Sequence, residues 1–298
     1  MKGSRRLAAP AAVVVLAALA TACSSPPALV GRVRTAVYCG NGGTPQTLDV
    51  FEPTSAPSHP VPAVVDVHGG GWVLGDATLA ASSVDGRVEA ALVGQGWVFV
   101  SIDYRLAPAA RWPAQIEDAK CAVRYLRANA ASLHIDPGHI GAIGASAGGQ
   151  LVSMLGLAGP EAGFDVGADL DQSSAVQAVV DEYGPSDMNA PNWAASPVAQ
   201  QVSPEVFGVP VGQPSPVLTA ASPVTYVGPG APPFLVIQGD DDQVVPPAQS
   251  EELVQRLKAA GDQATLVMVA NADHGLVPTG NRPIVPDIAA LAQQTAAF

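Results

Sequence analysis

From about Val30 onward, apolar and polar positions alternate between two kinds of run. Val61–Val67 and Val98–Ile102 are apolar apart from Asp66 and Ser101, the pattern of strands buried on both faces. Val33–Tyr38 and Thr47–Phe51 predict an opening pair of strands across the Gly/Asn-rich turn 40–44. Between Arg111 and Leu133 the period lengthens. Ile116, Ala119, Val123, Leu126, Ala130 and Leu133 recur at spacings of three and four, and Pro113 suits a first helical position. The pattern then predicts strand Ile140–Ile143, helix Gly149–Leu157, strands Val176–Glu182 and Phe234–Gln238, helix Gln249–Ala260, strand Thr265–Val269 and a closing amphipathic run Ile288–Ala297. Such alternation predicts an α/β fold, with a mostly parallel sheet covered by helices on both faces.

Residues 185–233 break the rhythm with eleven prolines. Proline removes a backbone donor and fixes φ, so this stretch is expected to hold neither long helices nor central strands. A lid-like insertion over a site is the favoured reading, and a long irregular connection is the other.

The first 22 residues stand apart. Lys2, Arg5 and Arg6 precede an uncharged, largely apolar stretch Leu7–Ala20, too short to span a bilayer as a permanent helix. Residues 1–22 therefore read as a signal peptide. Ala20-Thr21-Ala22-Cys23 resembles a bacterial lipoprotein processing box, with Ala20 standing where that box usually carries Leu. Lipidation of Cys23 would anchor the chain to a membrane surface, and plain secretion is the alternative. Residues 23–45 then form the lipidated terminus, a tether at Ser24–Ala28 and the first strand, and residues 46–298 form the folded domain.

Charge narrows the partners. The net charge of −12 becomes −15 once Lys2, Arg5 and Arg6 leave with the signal, so nucleic acid is excluded as a partner. Cys39 and Cys121 read equally as a disulfide or as isolated buried thiols. The five histidines show no metal-ligand spacing, so no metal site is expected.

Four segments carry chemistry. Gly144-Ala145-Ser146-Ala147-Gly148 sits between a predicted strand and a predicted helix, so Ser146 can stand at the tip of a sharp turn where a base reaches its Oγ. His68-Gly69-Gly70-Gly71-Trp72 follows a buried strand, and consecutive glycines let backbone N–H groups converge on a developing oxyanion. Gly239-Asp240-Asp241-Asp242 follows another strand and offers a carboxylate to orient a histidine; a solvated acidic turn or a weak calcium site explains it too. His274, in Ala272-Asp273-His274-Gly275, completes the chain order Ser…Asp…His.

With these residues in place the chain resembles the α/β-hydrolase superfamily. It is most similar to the HGGG-bearing esterases, both the hormone-sensitive-lipase-like group and the bacterial feruloyl/acetyl-xylan-esterase-like group. The matches are the loop at 68–72, Asp103-Tyr104-Arg105-Leu106-Ala107-Pro108, Gly144–Gly149, Gly239–Pro246 and His274-Gly275. The resemblance implies a triad of Ser146, Asp242 and His274, with oxyanion N–H groups from Gly70, Gly71 and Ala147. It implies a stretch 103–108 that is structural, no cofactor, and a small-molecule ester substrate. Short acyl esters lead; acetyl-xylan or feruloyl esters and an arylformamidase-like amide are alternatives, as is a non-catalytic binding lipoprotein of the same fold. Two positions depart from the pattern. Ala145 replaces the Asp common before the serine in the hormone-sensitive-lipase-like group and so favours the feruloyl/acetyl-xylan-like branch. Gln238 replaces the usual histidine, a change expected to matter little.

Overall fold

The computed structural model describes residues 31–40, 43, 45–81 and 83–298. The expected signal peptide, residues 1–22, and Cys23 lie outside them. Strands β1 (Arg32–Val37) and β2 (Thr47–Glu52) form an antiparallel hairpin at one edge of an eight-stranded sheet. The sheet continues through β3 (Val61–Val67), β4 (Val98–Ile102), β5 (Ile135–Ala145), β6 (Ala178–Glu182), β7 (Phe234–Gly239) and β8 (Ala264–Val269), in the spatial order β1-β2-β4-β3-β5-β6-β7-β8. From β4 to β8 every pairing is parallel. All five residues of β4 and all six of β7 are buried, as largely apolar central strands require.

Two helices, α1 (Val84–Gly94) and α9 (Ile288–Ala297), cover one face of the sheet with Phe99, Ile143, Val180 and Ile237 beneath them. Helices α2 (Ala114–Ala128), α4 (Ala147–Leu157) and α8 (Ala248–Ala260) cover the other, with the short α3 (Ala130–Leu133) following α2. Ile116, Ala119, Val123 and Leu126 of α2 are fully buried, so the three-four spacing is the core stripe. A disulfide joins Cys39, just past β1, to Cys121 of α2, with Cα atoms 6.3 Å apart.

The structure departs from the sequence reading in two places and adds detail in a third. Helix α1 is not evident from the sequence, because Gly86 and Gly94 obscure its apolar positions Val84, Val88 and Leu92. Strand β5 begins five residues earlier than predicted, running through Asp136-Pro137-Gly138-His139 with a register shift against β3 between Val61 and Ala63. The proline-rich segment carries helices α5 (Pro191–Ala194), α6 (Pro197–Val206) and α7 (Pro216–Ala220). Each starts on a proline, where the missing N–H costs nothing because a first-turn N–H has no intrahelical acceptor. Hence α6 reaches ten residues despite Pro204 within it.

Candidate active site

The C-terminal ends of the parallel strands bring the four chemical segments together. Ser146 follows β5 directly and precedes α4, with φ 56° and ψ −117°, a conformation a non-glycine residue adopts only when its surroundings enforce it. Its N–H donates to the Glu182 carbonyl at 2.8 Å, fastening the turn to β6. Gly148 explains the motif's second glycine: a Cβ there would sit 1.8 Å from the Val67 carbonyl oxygen. The turn thus packs against the end of β3, where the glycine loop starts.

His274 Nε2 lies 2.9 Å from Ser146 Oγ, and His274 Nδ1 lies 2.8 Å from Asp242 Oδ2. Asp242 is buried, whereas Asp240 and Asp241 are exposed, so only the third aspartate of the run faces the histidine. The Asp242 Oδ1 accepts the N–H groups of Val244 at 2.8 Å and Val245 at 2.9 Å, closing the loop around the carboxylate. Tyr183 packs edge-on against the imidazole with centroids 4.8 Å apart. Burial, together with the nearby carboxylates of Glu182 and Asp85, raises its phenol well above the usual range, so it stays neutral.

Gly70 occupies φ 106°, and a Cβ there would fall 2.1 Å from the Leu74 carbonyl oxygen. Only glycine follows this path. Among the described residues, the N–H groups of Gly70, Gly71 and Ala147 donate to no other backbone carbonyl. Tyr104 holds the loop from behind, its hydroxyl donating to the His68 carbonyl at 3.0 Å and its ring stacked on His68 at 4.2 Å. Asp103 accepts the Ala77 N–H and the Thr47 hydroxyl, and the Ala107 N–H donates to the Trp72 carbonyl. The stretch 103–108 therefore braces the glycine loop rather than entering the site.

These segments line a cavity of about 360 Å³. Its far wall comes from the proline-rich insertion: Pro185, Trp193 of α5, and Val198 and Val202 of α6. Trp72 and Trp193 are 1% and 2% exposed, so each is at once a core residue and part of the wall. Trp72 Nε1 donates to Gln150 Oε1 at 3.1 Å, while Gln150 Nε2 donates to the Ala221 carbonyl, linking the glycine loop to the end of the insertion. Among the described residues, no group of three or more His, Cys, Asp or Glu side chains is placed to hold a metal ion. Nor is any described helix long and apolar enough to cross a membrane.

Two residues near the site carry no sequence motif. Gln238 donates to Asp242 Oδ2 at 3.0 Å, and the Ser250 hydroxyl donates to Gln238 Oε1 at 2.7 Å. The available signals were the departure from the family pattern at Gln238 and a glutamine within the buried strand Phe234–Gly239, because a buried amide needs partners.

Comparison with known proteins agrees with this architecture. A family model described as BD-FAE matches residues 48–257. Esterase LipC of Mycobacterium tuberculosis is 35% identical over 243 residues, covering 77% of this chain and 57% of its own. Esterase LipQ of the same organism is 34% identical over 224 residues, covering 74% and 52%. The chain thus spans about half the length of these curated relatives. Among solved structures, a truncated carbohydrate esterase from gut microbiota superposes with a TM-score of 0.67 at 31% identity, covering 85% of this chain and 93% of that one. Esterase Est2 of Thermogutta terrifontis, bound to propionate, superposes at 0.70 with 24% identity over 92% and 95%, a likeness of fold. Sheet order, strand-end turns and the family match over most of the chain converge: this protein is an α/β hydrolase and belongs to the BD-FAE family.

Proposed function

We propose that the protein is a serine carboxylic-ester hydrolase acting on short acyl esters. The observation that carries the reading is the hydrogen-bonded line Ser146–His274–Asp242, at 2.9 and 2.8 Å, beside the glycine loop. In this mechanism His274 Nε2 takes the Ser146 proton as Oγ attacks the ester carbonyl. The N–H groups of Gly70, Gly71 and Ala147 hold the oxyanion. His274 then protonates the departing alcohol, and water attacks the acyl-enzyme with His274 again as base, releasing the acid and restoring Ser146. Asp242 holds the imidazole with Nε2 toward the serine and stabilises the imidazolium. The cavity walls beside Ser146 are valine, proline and tryptophan, which suits an uncharged acyl group of modest size.

Labelling with a fluorophosphonate tests the reading. Wild type takes up the probe and hydrolyses p-nitrophenyl acetate and butyrate, while Ser146→Ala does neither. A folded wild-type protein that takes up no probe refutes it. A second reading, acetyl or feruloyl esters on carbohydrate, is favoured by the family match and by the carbohydrate esterase that resembles this chain at 31% identity. Acetylated xylan and methyl ferulate assayed beside the p-nitrophenyl series separate the two.

The address is proposed from the sequence alone: export, processing before Cys23 and a lipid anchor. Mass spectrometry of the mature N-terminus tests it, and an unmodified Cys23 refutes the anchor.

A further inference from the structure

Asp242 accepts four hydrogen bonds, and three are accounted for by its own loop and the histidine. The fourth comes from Gln238, whose Nε2 lies 3.0 Å from Oδ2, the same oxygen that faces His274. Gln238 is the penultimate residue of β7 and is fully buried; Ser250, in α8, is 1% exposed. Which end of the amide faces the carboxylate is set by its surroundings. Nε2 is ringed by acceptors: Asp242 Oδ2, the Gly239 carbonyl at 3.2 Å and the Val245 carbonyl at 3.4 Å. Oε1 receives the Ser250 hydroxyl at 2.7 Å. An amide turned the other way would place its oxygen against the carboxylate and leave the serine facing an N–H.

We infer that Gln238 is a positioning residue for the acid of the triad, locked in its orientation by Ser250, so that the hydrogen-bonded line runs Ser250–Gln238–Asp242–His274–Ser146 across α8, two strand ends and the serine turn. The inference rests on the esterase reading for its kinetic consequence and on the buried geometry for its structural one. A hydrogen bond to a charged group in a dry site is among the stronger ones. Its loss leaves the carboxylate free to librate about the line to His274, which costs alignment in the transition state. It also removes a dipole whose positive end opposes the imidazolium, so the imidazolium becomes easier to form. An amide donates at every pH, so in the native chain this support does not itself titrate.

The test uses Gln238→Leu, Gln238→Glu, Ser250→Ala and the double variant Gln238→Leu/Ser250→Ala. Each is first shown to be folded by circular dichroism and thermal unfolding. For p-nitrophenyl acetate, Gln238→Leu is expected to lower kcat about tenfold with KM nearly unchanged, the size of one charge-assisted hydrogen bond. The acid limb of its kcat/KM profile moves to higher pH, and moves further in Gln238→Glu, which sets a second carboxylate beside Asp242. Ser250→Ala acts in the same sense but less, and the double variant is no slower than Gln238→Leu, because Ser250 acts only through the amide. In parallel, the low-field proton NMR signal of His274 Nδ1–H shifts in Gln238→Leu and Ser250→Ala. A folded Gln238→Leu with native kcat and an unmoved acid limb overturns the inference, as does a double variant whose losses multiply. If wild type hydrolyses no ester, the esterase reading fails, and the NMR signal alone decides: unmoved in Gln238→Leu, it overturns the positioning role. Should Gln238→Leu fail to fold, Ser250→Ala carries the same readouts.

Discussion

The Ser196 hydroxyl donates to the Val244 carbonyl at 2.8 Å, and the Val244 N–H in turn donates to Asp242. The start of α6 in the insertion is thereby fastened to the loop that carries the acid. Ser196→Ala removes the donor and leaves a carbonyl unpaired in a partly buried place. It is expected to cost about 1 kcal/mol of stability. It should also slow p-nitrophenyl ester turnover several-fold, because the wall and the acid loop are no longer held in register. Thermal unfolding with steady-state kinetics checks both; native turnover would show that the wall and the acid are set independently.

Gly148→Ala should be far more damaging than its one methyl suggests. The added Cβ meets the Val67 carbonyl oxygen at 1.8 Å and the His68 carbonyl oxygen at 2.8 Å. No side chain stands there to rotate away, so either β3 or the serine turn must move. The expected outcome is loss of soluble folded protein, or a folded protein that a fluorophosphonate no longer labels. Full labelling of Gly148→Ala would contradict the close packing of the turn.

Stability should fall as pH rises above the ordinary carboxylate range. Glu182 and Asp66 are buried on the face covered by α1, and desolvation, with the neighbouring Asp85, raises both well above their usual values. Asp181, on the opposite face, is pushed up to about 6 by burial. At low pH folded and unfolded chains both hold these protons. Above about pH 4.5 the unfolded chain releases them while the folded chain retains them, so unfolding gains ground until the folded carboxyls ionise. The melting temperature is therefore expected to be lower at pH 8 than at pH 5. Glu182→Gln should narrow that gap, since an amide has no proton to lose. A gap unchanged in Glu182→Gln refutes the assignment.

The disulfide joins residues 82 positions apart in the chain. Replacing both cysteines by serine should cost about 2–5 kcal/mol, and reductant should lower the melting temperature of wild type but not of the variant. A wild-type melting curve indifferent to reductant would show that the two thiols are not bonded.

Most of the sheet was legible because its strands are short, mostly apolar runs: β3 and β4 were read to the residue. The serine turn, the glycine loop, Asp242 and His274 were legible for a related reason, since each follows a predicted strand and strand ends converge in a parallel sheet. What escaped notice has physical causes. In α1, two glycines weaken the helical signal although Val84, Val88 and Leu92 keep its spacing. The insertion's prolines were read as breakers, yet several occupy first-turn positions and begin helices. Gln238 was set aside as a harmless departure, but its amide reaches Asp242, four positions on, and Ser250 in α8. Such a contact depends on side-chain direction across a turn, which spacing along the chain does not encode.

The insertion leaves the sheet after Glu182 and rejoins it at Phe234, on neighbouring strands in parallel register, where Val179 stands opposite Phe234. Closing an excursion between two such fixed points costs only logarithmically more as it lengthens. A lineage can therefore lengthen, shorten or rewrite residues 185–233 while the strand ends beneath hold their places. Trp193, Val198 and Val202 belong to that replaceable stretch, whereas Ser146, Asp242 and His274 do not. Divergence in what the cavity admits is thus open to gradual change wherever Ser196 keeps its hold on the acid loop.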